Sequence, residues 1–254
     1  MKKYFLLFII FSILNSASGQ SKIKPENAAS PKISQSVKDP EIEIYNRAVQ
    51  YGDAEAAKYA LYSLMIKHPN DKGWLDSLVV LYYNLNAFPQ CVLAGYSYLE
   101  KDTSNKEVME MVAQSNSALK RNKEAVELYE KLFYRTGKIY YAYQLAVQQY
   151  LLKRIGECNQ MIDIIVGDPS SVKETIPFGT DNGSQQVPMI AAALNLRGII
   201  LSEINMKDKS KETFESALKI FPDFALAKKN LESLKDQKEN TEKNSIKEQP
   251  VKSK

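Results

Sequence analysis

Apolar and polar residues follow two nested periods along this chain. The shorter is helical: Ala125, Leu128, Tyr129 and Leu132 recur at i, i+3, i+4 and i+7, which lays them along one stripe of a helix. The longer relates whole helices, since Ala57, Cys91 and Ala125 stand 34 residues apart and Cys158 comes 33 later. A single pair of helices cannot bury such a stripe, so pairs repeating at this spacing predict a stack in which each covers its neighbour. The first unit holds Ile44, Tyr45 and Ala48, the turn Gly52-Asp53, then Ala57, Leu61, Leu64 and Pro69. Leu75, Leu78, Val79 and Tyr82 precede Cys91 and Tyr98 in the second, and Met109, Val112 and Ala113 precede Ala125 in the third. A fourth places Leu145 and Ala146 before Cys158, Ile162 and Ile165.

The fifth unit, Ala191 to Pro222, carries the fullest pattern: Leu194, Gly198 and Leu201 on a first helix, Ser210, Phe214 and Ala217 on a second, then Pro222. It resembles the tetratricopeptide repeat, W-x2-L-G-x2-Y…A-x3-F…P, with Arg197 where that pattern prefers leucine and Ser210 where it prefers alanine. The resemblance implies an all-α solenoid of about five helix pairs over residues 39–238. It also implies a concave groove, lined by the first helices, that receives a peptide or a partner's helix. Carried over by position, that groove has Asn46 and Gln50, then Asp76, Val80, Tyr83 and Asn84, then Glu110, Gln114 and Ser117. Tyr143, Val147 and Tyr150, then Asn195, Ile199 and Ser202, complete it. Tyrosine beside amide suits such a face, a rigid ring with a polar tip next to groups that bond a backbone. Tyr143 and Tyr150 serve equally as packing between helices. The basic residues of the family's carboxylate clamp are missing from these positions, so an acidic C-terminal peptide is not the expected ligand.

After Pro222, Ala225, Leu231 and Leu234 face away from Lys228, Lys229, Glu232 and Lys235, the pattern of a terminal capping helix. Between units four and five the spacing widens: Cys158 and Ser210 are 52 residues apart. The extra chain, 167–187, includes Ile176, Pro177 and Phe178, then Asp181, Asn182 and Gly183, then Gln185, Gln186 and Val187. Asn-Gly between short extended runs predicts a short β-hairpin or ordered loop resting on the solenoid through Ile176 and Phe178, and Pro177 permits only an edge strand.

The chain opens with Lys2 and Lys3, an apolar run from Tyr4 to Leu14, and the small residues Ser16, Ala17, Ser18 and Gly19. This reads as a signal peptide, 1–19, shorter than the roughly 20 residues that span a bilayer. It predicts a periplasmic or secreted protein with no stable membrane insertion after cleavage. Residues 20–38 and 239–254 are polar and read as disordered flanks.

Composition is that of a globular protein, 44% hydrophobic and 25% charged. The net charge of +4 belongs to the ends: Lys2 and Lys3 in the leader, and eight lysines against five acids in 228–254. The body lacks the basic stripe that nucleic acid requires. One histidine, His68 beside Pro69, and two cysteines two repeats apart cannot build an ordinary zinc site. Cys91 and Cys158 read as buried free thiols in the place of alanine. No phosphate-binding glycine loop or nucleophile motif is present, and Glu41, Glu43, Glu124 and Glu127 fall on solvated helix faces. These readings predict a non-catalytic adaptor of the cell envelope, without cofactor or metal, that binds a protein or peptide. A structural spacer acting through the 174–187 hairpin and a small-ligand or glycan receptor are the alternatives.

Overall fold

The computed structural model describes residues 39–180 and 183–234. Residues 1–38, which include the expected signal peptide and polar flank, residues 181 and 182, and residues 235–254, which include the expected polar tail, lie outside the described residues. The described chain is mostly helical: α1 (Pro40–Tyr51), α2 (Ala54–Lys67), α3 (Lys72–Asn84), α4 (Phe88–Leu99), α5 (Lys106–Ala118), α6 (Asn122–Thr136), α7 (Ile139–Leu151) and α8 (Ile155–Gly167). A short 3-10 turn, Pro169–Val172, leads into strands β1 (Thr175–Thr180) and β2 (Gly183–Pro188), then α9 (Met189–Glu203) and α10 (Lys207–Ile220). Residues 225–234 form a final helix, α11.

Two compact units divide this chain, 39–136 and 137–234. In the first, α1 pairs with α2, α3 with α4 and α5 with α6; α2 packs on α3, α4 on α5, and the first helices α3 and α5 touch. In the second, α7 pairs with α8 and α9 with α10, and α9 also packs on α8 and α7.

The turns inside the pairs are built alike. Each first helix ends on a residue in the left-handed conformation: Gly52, Asn86, Lys120, Lys153 and Asn205, with φ between 54° and 71°. The next N–H then reaches back five residues, as Ala87 to Tyr82, Arg121 to Asn116, Arg154 to Gln149 and Met206 to Leu201. This is the Schellman closure, which satisfies carbonyls the helix end leaves free. Some helix starts in residues 39–136 are capped by acceptor side chains: Asp53 takes the Ala56 N–H at 3.0 Å and Asn105 the Val108 N–H at 3.0 Å.

Small residues set how closely the helices approach. A methyl at Gly198 would sit 2.5 Å from the Phe214 ring, and one at Gly95 would run into Val112. Ser210 stands in for alanine because its hydroxyl donates to the Gly198 carbonyl at 2.8 Å, which keeps a buried oxygen satisfied. Arg197 replaces leucine and pairs with Asp163 on α8.

Cys91 and Cys158 are free and fully buried. Burial pushes the Cys91 thiol up and the Cys158 thiol up to about 12. The neutral thiol is therefore the form that folding favours. Its contribution is complete below the ordinary thiol value and is lost as pH rises toward the folded value. Native protein at mildly alkaline pH is expected to show neither thiol to Ellman's reagent, and denatured protein both. A second test concerns the helix contacts. Gly198→Ala overpacks the Phe214 contact and is expected to cost about 1–3 kcal/mol. Lys120→Gly relieves a left-handed non-glycine residue and is expected to add about 0.5–1 kcal/mol, both read from urea midpoints.

Candidate functional site

The predicted groove residues divide between two environments. In unit 39–136 they reach solvent: Asn46, Gln50 and Asn84 are exposed, Val80 is 38% exposed, and Asp76, Tyr83, Glu110 and Gln114 are half-buried. Ser117 alone is buried, its hydroxyl donating to the Ala113 carbonyl at 3.0 Å. A relay links two first helices: the Tyr83 hydroxyl donates to the Gln114 amide oxygen, and the Gln114 amide nitrogen donates to Glu110 at 3.0 Å. Burial raises the Tyr83 phenol, so it is a neutral donor. Burial also raises the Asp76 carboxyl, and Glu107 on α5 pushes it the same way.

In unit 137–234 the equivalent residues are covered by the chain itself. Tyr143, Tyr150 and Asn195 are 2%, 1% and 2% exposed, Val147 and Ile199 are buried, and Ser202 is half-buried. The insertion supplies the cover. Its strands pair antiparallel from Thr175 opposite Pro188 to Thr180 opposite Gly183, so Gly183, φ 134°, belongs to the strand. Ile176, Phe178 and Val187 share the buried side. Phe178 meets Tyr143 edge-on at 6.3 Å and Phe224 at 5.0 Å between ring centres. Pro177 and Pro188 occupy the same alternation in the register, as an edge strand allows.

The terminal helix completes the cover. Asn230 on α11 donates to the Asn195 amide oxygen at 2.9 Å, which satisfies a buried amide. Gln185 of β2 caps the start of α11: its amide oxygen takes the Ala225 N–H at 3.2 Å, and its nitrogen donates to the Asp223 carbonyl. At the other end of the face the Tyr150 hydroxyl donates to Glu203 at 2.6 Å, and Lys153 pairs with Glu203 while lying 5.0 Å over the Tyr150 ring. Burial, then the Glu203 carboxylate, holds the Tyr150 phenol far above its ordinary value. Phe224 and Asn230 were missed by sequence reasoning, which placed Gln185 and Val187 in the insertion without these contacts. Phe224 carries the plainest signal, an aromatic residue just past the repeat's closing proline.

His68 caps the end of α2 and its Nε2 lies 3.1 Å from Asp39. Among the described residues no group of three or more His, Cys, Asp or Glu side chains is placed to hold a metal ion. Among the same residues no helix is long and apolar enough to cross a membrane.

Residues 191–224, with Gly198 under Phe214 and the Schellman turn at Asn205, match the family model of the tetratricopeptide repeat. The fold is that of tetratricopeptide-repeat proteins. A tetratricopeptide repeat protein from Parabacteroides merdae is similar at 18% identity, over 77% of this chain and 71% of its own, with a TM-score of 0.59. YrrB, described as a tetratricopeptide-repeat protein with an unusual peptide-binding site, is 14% identical over 74% of this chain and 88% of its own, with a TM-score of 0.57. MamA from Desulfovibrio magneticus is 14% identical over 73% and 96%, with a TM-score of 0.56. No curated protein matches the sequence. The tetratricopeptide fold is consistent with a protein–protein interaction scaffold, and proteins of this repeat bind protein or peptide partners.

The first-helix residues of the two units are expected to respond differently to truncation. Tyr143→Ala or Phe178→Ala opens a packed aromatic cluster and should cost about 3–5 kcal/mol. Tyr83→Ala removes a half-exposed ring with one hydrogen bond and should cost about 1 kcal/mol. Chemical denaturation of the three variants checks both.

Proposed function

We propose that the protein is an exported, non-catalytic adaptor of the cell envelope, and that the first-helix face of α1, α3 and α5 holds a segment of a partner protein. The observation that carries this reading is the contrast between the first-helix positions of the two units. Equivalent positions are filled by the chain's own hairpin and terminal helix in residues 137–234, and stay open in residues 39–136. The open half keeps what an extended partner needs, amides at Asn46, Gln50 and Asn84 to bond a backbone and an apolar strip at Val80 and Tyr83. Export is inferred from the basic, apolar and small-residue succession of residues 1–19. The peptide-binding site named for YrrB, a protein of the same fold, is in keeping with this use.

The spacer reading draws less support, because Ile176 and Phe178, the apolar residues such a hairpin would offer, are turned inward. A glycan receptor loses Tyr143 and Tyr150 to the core in the same way.

Capture from an envelope extract provides the test, with tagged chain compared against a variant carrying Asn46→Ala, Tyr83→Ala and Asn84→Ala. Bound proteins held by the parent and lost by an equally helical variant are the expected result. Equal retention by both would sink the groove reading.

A further inference from the structure

The second helices have an outer side, and in the last three repeats it carries polar residues. Two and five residues past the small residue at the helix contact stand Glu127 and Glu130 on α6, Gln160 and Asp163 on α8, and Glu212 and Glu215 on α10. The first two repeats depart from this. The same positions hold Tyr59 and Tyr62 on α2, and Leu93 and Tyr96 on α4. Ile66 extends the α2 stripe, so that 59, 62 and 66 recur at i, i+3 and i+7 on one side of the helix. Tyr59, Ile66 and Leu93 are 70–80% exposed. Both helices belong to residues 39–136, so the patch lies within one compact unit.

Two of its tyrosines are fixed before anything packs on them. The Tyr62 hydroxyl shares a hydrogen bond of 2.5 Å with that of buried Tyr82 on α3, and the Tyr96 hydroxyl accepts from the buried Asn116 amide on α5 at 3.4 Å. The next first helix thus occupies each polar tip, and rings already held in one position lose little freedom on association.

Together the five side chains leave about 600 Å² of largely apolar surface bare, the upper end of what a monomer exposes in one patch. Two such patches face to face bury roughly 1,200 Å², the lower bound for a specific interface. A two-fold axis near Tyr62 runs α2 antiparallel to the α2 of a second copy, which sets Tyr59 against the partner's Ile66 and the two Tyr62 rings side by side. The charges at the ends match as well. α2 starts with Glu55 and ends with Lys67, and both remain exposed beyond their ion pairs with Lys58, Asp39 and Glu41. Antiparallel pairing lays each acidic start beside the other copy's basic end and opposes the helix dipoles.

We propose that the outer side of α2 and α4 is an interface between two copies of this chain, related by a two-fold axis at Tyr62. It goes beyond the adaptor reading and does not rest on it. The interface uses second helices, so a dimer carries two first-helix faces.

Sedimentation velocity over a dilution series of the purified full chain tests it, beside a Tyr59→Glu, Ile66→Glu variant that gives α2 the acidic outer side found on α6 and α10. The expected result is a parent dimer at tens of micromolar that dissociates on dilution, and at least tenfold weaker association of the variant. Both side chains are largely exposed, so the variant should keep the melting temperature of the parent at low concentration. Cross-linking reads the axis independently. Tyr62→Cys should give a disulfide-linked dimer on oxidation with copper phenanthroline, and Glu127→Cys on α6 should not; Cys91 and Cys158 are buried and stay silent. A parent that is monomeric at every concentration overturns the proposal, whether its patch is bare or covered by residues 1–38 or by another protein. So does a variant that associates as strongly as the parent, or a Glu127→Cys chain that cross-links as fully as Tyr62→Cys.

Discussion

Everything in this fold depends on how near two helices can come at a residue with little or no side chain. Gly198 has no Cβ because the Phe214 ring already occupies that space, and Gly95 is held to the same terms by Val112. Ala57, Cys91, Ala125, Cys158 and Ser210 are the small partners at the matching place on each second helix, all fully buried. Contact at that distance lets dispersion and burial act over the whole stripe, and each completed pair then presents its neighbour with a surface of the same form. The regular turns follow from it, because a pair closed this tightly leaves room only for a left-handed residue between its helices.

The insertion solves a problem created by that regularity. A first helix has an inner face that no second helix covers, and in an uninterrupted array it stays wet. Here residues 175–188 and α11 lie over that face in residues 137–234, so that Tyr143 and Asn195 behave as core. Asp76 and Asn195 hold equivalent positions in the repeat, one half-buried and one satisfied by Asn230. Position in a repeat assigns a face, and its neighbours assign the environment. The hairpin is held by Phe178 and by Gln185, which serves strand and helix at once.

Much of the fold was legible in the chain, since a 34-residue period and small residues at fixed places need no distant information. The hairpin was legible too, through Asp181, Asn182 and Gly183, although the structure moves Gly183 into the strand. The covering of Tyr143 and Tyr150 was not. Helical periodicity says which way a side chain points and nothing about a segment more than 30 residues away that folds onto it. The turns at Lys120 and Lys153 were also hidden, because lysine carries no local preference for the left-handed region and is held there by the helices on either side. Arg197 and Ser210, which looked like departures from the repeat, are explained only by the partners they find, Asp163 and the Gly198 carbonyl.

Helix α1 carries a further consequence. Of its twelve residues only Ala48 is fully buried, and it lies at the edge of the open half. In an array whose units lean on nearest neighbours, opening begins where the fewest apolar contacts must be given up. Amide protons of α1 therefore exchange ahead of those of α7 and α9, whose inner faces are sealed. Opening among the described repeats is expected to start at the first, and whatever settles against Asn46 and Gln50 also steadies its first helix.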